Sequence, residues 1–175
     1  MLHPSILAVG VFVNEEIEEV EKLFLDGIID IVQLHGNESD EYIKKLKKNV
    51  DVPVIQAFQI ETREDLNRAK ESIADYVLLD SGAGTGTVFD WSLLEGFNRP
   101  YFLAGGLHPK NVEKAIKTLH PYAVDVSSGI EIDGKKDRKS MAEFVANVRK
   151  GKDMSNKNGR FGIHGGQYIP ETLMN

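Results

Sequence analysis

Short apolar runs alternate with amphipathic stretches along most of this chain. The runs are LAVGVFV (7–13), DIVQL (30–34), VPVIQAF (52–58), YVLLD (76–80), YFLAG (101–105) and AVDVS (123–127). Each is bounded by turn residues and is apolar at successive rather than alternate positions. That pattern suits parallel strands buried on both faces. The runs start about 20 to 25 residues apart, the length of one strand–helix unit.

The intervening stretches read as helices. Asn14 is placed to cap a helix opened by Glu15 and Glu16, with Ile17, Val20 and Phe24 on one stripe. Thr62 and Asp65 form a capping-box pattern ahead of Leu66, Ala69 and Ile73. Pro109 suits a first helical turn, followed by Val112, Ala115, Ile116 and Leu119. Met141, Phe144, Val145 and Val148 fall at i, i+3, i+4 and i+7 of a last helix. Repeated βα units imply an α/β fold with a parallel sheet. Six strands are visible. A closed (β/α)₈ barrel needs eight, in at least about 200 residues, whereas six also suit an open doubly wound sheet; the count leaves both open. Residues 1–150 therefore read as one domain. Residues 151–175, polar and glycine-rich without useful periodicity, read as a flexible tail.

Composition narrows the function. A formal charge of −6 and the lack of a basic face argue against nucleic-acid binding. Lys44, Lys45, Lys47 and Lys48 read as the solvated end of a helix, near its negative pole. There is no cysteine, which removes disulfides and thiolate chemistry. No apolar stretch is long enough to span a bilayer, and residues 1–4 lack the charged start of a signal peptide, so the expectation is a cytoplasmic enzyme.

Reactive groups in parallel α/β folds sit at the carboxyl ends of strands. Four such ends stand out. His35 closes VQLHG (32–36) and could donate a hydrogen bond or titrate near neutrality; it equally suits a strand-end histidine satisfied by backbone. Asp80 ends YVLLD before a loop holding Gly82, Gly84 and Gly86. It reads about evenly as a general acid or as a turn aspartate, and its G-x-G-x-G run lacks the spacing of a dinucleotide fingerprint. LAGGL (103–107) and DVSSGIE (125–131) are each compatible with a tight turn. Two glycine-rich ends on consecutive strands favour a phosphate cradle.

In order and spacing, VGVFVN, VQLHGNE, LLDS with its glycine loop and FDW, LAGGL, and DVSSGIE followed by DGKKD resemble phosphoribosylanthranilate isomerase over residues 7–150. The resemblance implies a TIM (β/α)₈ barrel, here about six of eight βα units, and an Amadori rearrangement in tryptophan biosynthesis without metal or organic cofactor. N-(5-phosphoribosyl)anthranilate would become 1-(2-carboxyphenylamino)-1-deoxyribulose 5-phosphate. It implies that Asp80 is the acid that protonates the ring oxygen. It also implies that Gly105, Gly106, Ser127, Ser128 and Gly129 hold the phosphate, while His35 and Asp125 line the pocket. The family's cysteine base in a K-I-C-G motif, and an arginine near the end of strand two, have no counterpart in this sequence. The expectations are therefore low activity of the chain alone and self-association through open sheet edges. The alternative is a non-catalytic phosphate-binding or assembly fragment. Residues 154–175 resemble the start of a tryptophan synthase β chain.

Overall fold

In the computed structural model, residues 6–80, 91–94 and 96–155 are described. Strands β1 (Val9–Phe12), β2 (Ile31–Leu34), β3 (Val54–Gln59), β4 (Tyr76–Asp80), β5 (Tyr101–Ala104) and β6 (Ala123–Val124) coincide with the six apolar runs. Helices α1 (Ile17–Leu25), α2 (Asp40–Asn49), α3 (Arg63–Glu71) and α4 (Pro109–Leu119) fall between them, and α5 (Arg138–Ser155) closes the described chain. A two-stranded hairpin, β7 (Glu131–Ile132) and β8 (Lys135–Lys136), turns through Asp133 and Gly134. Both turn residues have positive φ, the geometry an Asp-Gly hairpin turn needs.

All six strands of the main sheet pair parallel, in the order β1-β2-β3-β4-β5-β6. A doubly wound sheet reverses direction at a switch point. This one does not, so the open alternative is set aside: the order is the singly wound order of a barrel.

The apolar runs are explained by a division of labour between the two strand faces. Val32, Leu34 and Val54 pack with Ile17, Val20, Ile43 and Leu46 of α1 and α2. Val77, Leu79, Leu103 and Val124 pack with Leu66, Ala69, Val112, Ala115, Ile116 and Phe144 of α3, α4 and α5. The opposite face holds Ile55, Leu78, Phe102, Ala104 and Ala123, with Val9, Ile31, Tyr76 and Tyr122 against them and no helix among the described residues. Its aromatic layer is ordered, Tyr76 lying edge-on to Phe102 (5.8 Å) and stacked on Tyr122 (5.7 Å). Strand side chains themselves fill this inner face, as in a barrel.

Local signals mostly act where expected. Thr62 and Asp65 form the capping box of α3, and Pro109 occupies the first turn of α4 behind His108. Lys47 and Lys48 lie in the last turn of α2. Two expectations change. Asn14 does not cap α1; Glu16 takes the cap position, while Asn14 adopts φ +53° and accepts from the Asn37 N–H (2.8 Å). The last helix also runs beyond residue 150 to Ser155, because Gly151 is buried against Ile116 of α4, where a larger residue would crowd its side chain. The rest of the expected tail, 156–175, and the glycine loop within 81–90 lie outside the described residues.

Candidate active site at the carboxyl ends of the strands

Side chains two apart on a strand share a face. Ile31 of β2 belongs to the inner layer, so Gln33 and His35 stand above it on the same side. By the same count Asp80 stands above Leu78 at the end of β4, and Asp125 above Ala123 just past β6. Strand periodicity therefore gathers three titratable groups from three separate βα units at one end of the inner face.

Their electrostatics agree with this placement. Burial pushes the Asp125 carboxyl up from its ordinary value of 3.8 to about 6, the nearby Asp80 charge adds to the rise, and His35 opposes it. Asp125 Oδ1 is buried with no hydrogen-bond partner among the described residues. The Asp125 N–H is tied down by Leu103 O at 2.8 Å. His35 is anchored by its N–H to Phe12 O (2.8 Å), and its Nδ1 lies 3.1 Å from Gln33 Nε2.

The two glycine-rich ends meet. Gly105 and Gly106 follow β5 with φ +84° and +60°, a left-handed path that L side chains adopt only at a cost. The Asn111 side chain accepts from His108 N–H (2.8 Å) and donates to Gly106 O (2.9 Å), so the start of α4 clamps this turn. A Cβ on Gly129 would overlap the Leu107 carbonyl oxygen, so only glycine lets the loop after β6 lie against the loop after β5. Ser127, half-buried, and Ser128, exposed, flank this contact. Lys136 of β8 reaches back to Ser127 O (3.0 Å) and Oγ (3.2 Å) and to Glu131 (2.8 Å). The hairpin thus brings an ammonium group to the serine loop.

Asp80, His35, Asp125, Gly105, Gly106, Ser127, Ser128 and Gly129 all lie at the carboxyl end of the sheet. Lys136, Asn111 and Gln33 join them, although sequence pattern alone assigns none of the three a role. Glu38 likewise carries no signal in the sequence pattern. It is 8% exposed and its carboxylate accepts from the N–H groups of Asn14 (2.6 Å) and Gly36 (2.9 Å), joining the loops after β1 and β2 beside His35. Among the described residues no three His, Asp or Glu side chains converge as a metal-binding group, and no helix is long and apolar enough to cross a membrane.

Singly wound parallel strands, helices on one face only among the described residues, and polar groups at the carboxyl ends define a barrel-type α/β protein of the TIM family. The sequence profile of N-(5'phosphoribosyl)anthranilate (PRA) isomerase matches residues 2–147. The N-(5'-phosphoribosyl)anthranilate isomerase of Endomicrobium trichonymphae is 42% identical over 154 residues, covering 85% of this chain and 76% of that protein. The crystal structure of phosphoribosyl anthranilate isomerase from Thermotoga maritima superposes with a TM-score of 0.75 at 39% identity, covering 85% of this chain and 75% of that one. A phosphoribosyl anthranilate isomerase in complex with reduced 1-(o-carboxyphenylamino)-1-deoxyribulose 5-phosphate gives 0.73, also at 39% identity, covering 85% of this chain and 74% of that one. The chain belongs to the N-(5'-phosphoribosyl)anthranilate isomerase family.

Proposed function

We propose that this chain carries the acid and phosphate-binding parts of a phosphoribosylanthranilate isomerase of tryptophan biosynthesis, acting in the cytoplasm. The observation that carries the reading is the convergence of Asp80, Asp125 and His35 on the inner face beside the joined loops at Gly105–Gly106 and Ser127–Gly129. It is supported by membership of the family and by the likeness to an isomerase that holds a reduced product analogue.

The chemistry divides among these groups. Backbone donors of the two glycine loops, with Ser127 and Ser128, hold the dianionic phosphate, and Lys136 adds positive charge at the serine loop. Asp80 delivers a proton to the furanose ring oxygen as the C1'–O bond breaks and the anthranilate nitrogen lone pair forms a C1'=N iminium. Loss of the C2' proton then gives an enolamine, which tautomerises to the ketone. Asp125, neutral over more of the pH range than an ordinary aspartate, can donate a hydrogen bond to the substrate from the same face as Asp80.

The C2' proton needs a base, and the cysteine used by the family is not among these residues. Turnover by this chain alone is therefore slow or nil. The sheet offers a remedy: within the described residues β1 pairs only with β2 and β6 only with β5, so each has an edge for further strands or for a second copy. The test is the loss of phosphoribosylanthranilate fluorescence on adding the purified chain, with and without a peptide carrying the family's first two βα units. Turnover only with the peptide supports the reading. Silence in both arms, together with calorimetry showing no binding of a 5-phosphoribosyl analogue, overturns it. Analogue binding with silence in both arms leaves a phosphate-binding module without catalysis.

A further inference from the structure

We propose that Gln33 is a positioning residue that fixes His35 as the Nε2–H tautomer, so that His35 acts on the substrate as a hydrogen-bond donor and not as the base. This deepens the isomerase reading, and rests on it only for the identity of what His35 faces.

Gln33 is a polar side chain only 3% exposed, on the inner face of β2 among apolar layers. Placing an amide there is costly unless its groups are bonded. Its Nε2 meets His35 Nδ1 at 3.1 Å, two residues along the same strand face. An amide nitrogen only donates, so the imidazole nitrogen facing it accepts through its lone pair. A neutral ring with a free lone pair on Nδ1 carries its proton on Nε2. Nε2 lies across the ring, away from Gln33, on an exposed side chain near enough to Asp125 to act on its carboxyl.

The consequence for the reaction is specific. With Nδ1 engaged and Nε2 protonated, the neutral ring has no lone pair free to take the C2' proton. A chain lacking the family's cysteine therefore does not find its replacement base in His35. The Nε2–H instead suits an acceptor on the substrate, either its carboxylate or the oxygen released when the ring opens. Asp125 Oδ1, buried without a partner among the described residues, is a second acceptor on the same side.

The tautomer is read directly by long-range proton–nitrogen correlation of the imidazoles in the ¹⁵N-labelled full chain, at a pH where the rings are neutral. His35 signals are assigned by their loss in His35→Asn. The expected result is a pyridine-like Nδ1 and a pyrrole-like Nε2. In Gln33→Glu the carboxylate accepts from Nδ1–H and the pattern inverts; in Gln33→Leu both nitrogens move toward the averaged values of a free imidazole. Unchanged His108 and His120 signals show that the variants are folded. A pyrrole-like Nδ1 in the unmodified chain, or the same His35 pattern in all three proteins, overturns the proposal. Affinity for a 5-phosphoribosyl anthranilate analogue should fall about tenfold in Gln33→Glu. If the unmodified chain does not bind the analogue, the isomerase reading fails, while the nitrogen shifts still decide the tautomer.

Discussion

Asp125 and Asp80 are held on one face of the sheet, and the Asp80 charge is the next cause after burial of the rise of the Asp125 carboxyl to about 6. Two carboxyls sharing a site do not ionise independently. For Asp125 burial is the larger cause, and its Oδ1 has no hydrogen-bond partner among the described residues to favour the charged form.

This makes stability depend on pH with a definite sign. The folded chain holds the Asp125 proton up to about pH 6, while the unfolded chain releases it near the ordinary value of 3.8. That contribution is full below pH 3.8 and is lost as pH rises through about 6. Asp125 keeps part of its surface in water, so a discounted magnitude is about 1–2 kcal/mol. Urea melts of the unmodified chain and of Asp125→Asn between about pH 4 and 8 should diverge in that window, the variant gaining relative stability as pH rises. Parallel profiles would show that Asp125 titrates normally.

Asp80→Asn retains shape but cannot deliver a proton. In an assay showing turnover, with or without the complementing peptide, the rate should fall about 10²- to 10⁴-fold while analogue affinity changes little. Equal turnover in the variant would remove Asp80 from the acid role.

Gly129→Ala drives a methyl group into the Leu107 carbonyl. Backbone, not a flexible side chain, must give way, so the expected cost is about 1–3 kcal/mol of stability, with loss of phosphate-dependent binding as the two loops part. A variant that melts and binds like the unmodified chain would show that the loops are not held by this contact.

Glu38→Gln leaves one oxygen to serve two N–H donors, those of Asn14 and Gly36, and turns an amide N–H₂ toward one of them. An unsatisfied buried donor costs about 1–3 kcal/mol. Hydrogen exchange should quicken at the Asn14 and Gly36 amides; unchanged protection there would mean that other contacts hold the two loops.

Much of this architecture was legible as local pattern. Six apolar runs, the Thr62–Asp65 box, Pro109 at a first turn and the stripe through Phe144 each concern residues a few positions apart, where propensity and periodicity act. The carboxyl-end rule likewise picked out His35, Asp80 and the two glycine loops. Arg99, by contrast, gave no signal. It reaches Ser72 O (2.7 Å) and Ala74 O (2.5 Å) just past the end of α3, from 27 and 25 residues away.

By itself the sequence determined the elements, their α/β class and the candidate chemistry at strand ends. Each of these follows from short-range hydrophobic period and turn residues. Only the tertiary structure decided that the strands run in unbroken order, and that their odd-and-even faces bring Gln33, His35, Asp80 and Asp125 to one side. It also decided that Gly129 must lie against Leu107 and that Lys136 returns to Ser127. These are contacts whose partners are joined by neither periodicity nor spacing. They exist because the inner face of the sheet must be filled by its own side chains, and that requirement appears only when the strands are assembled.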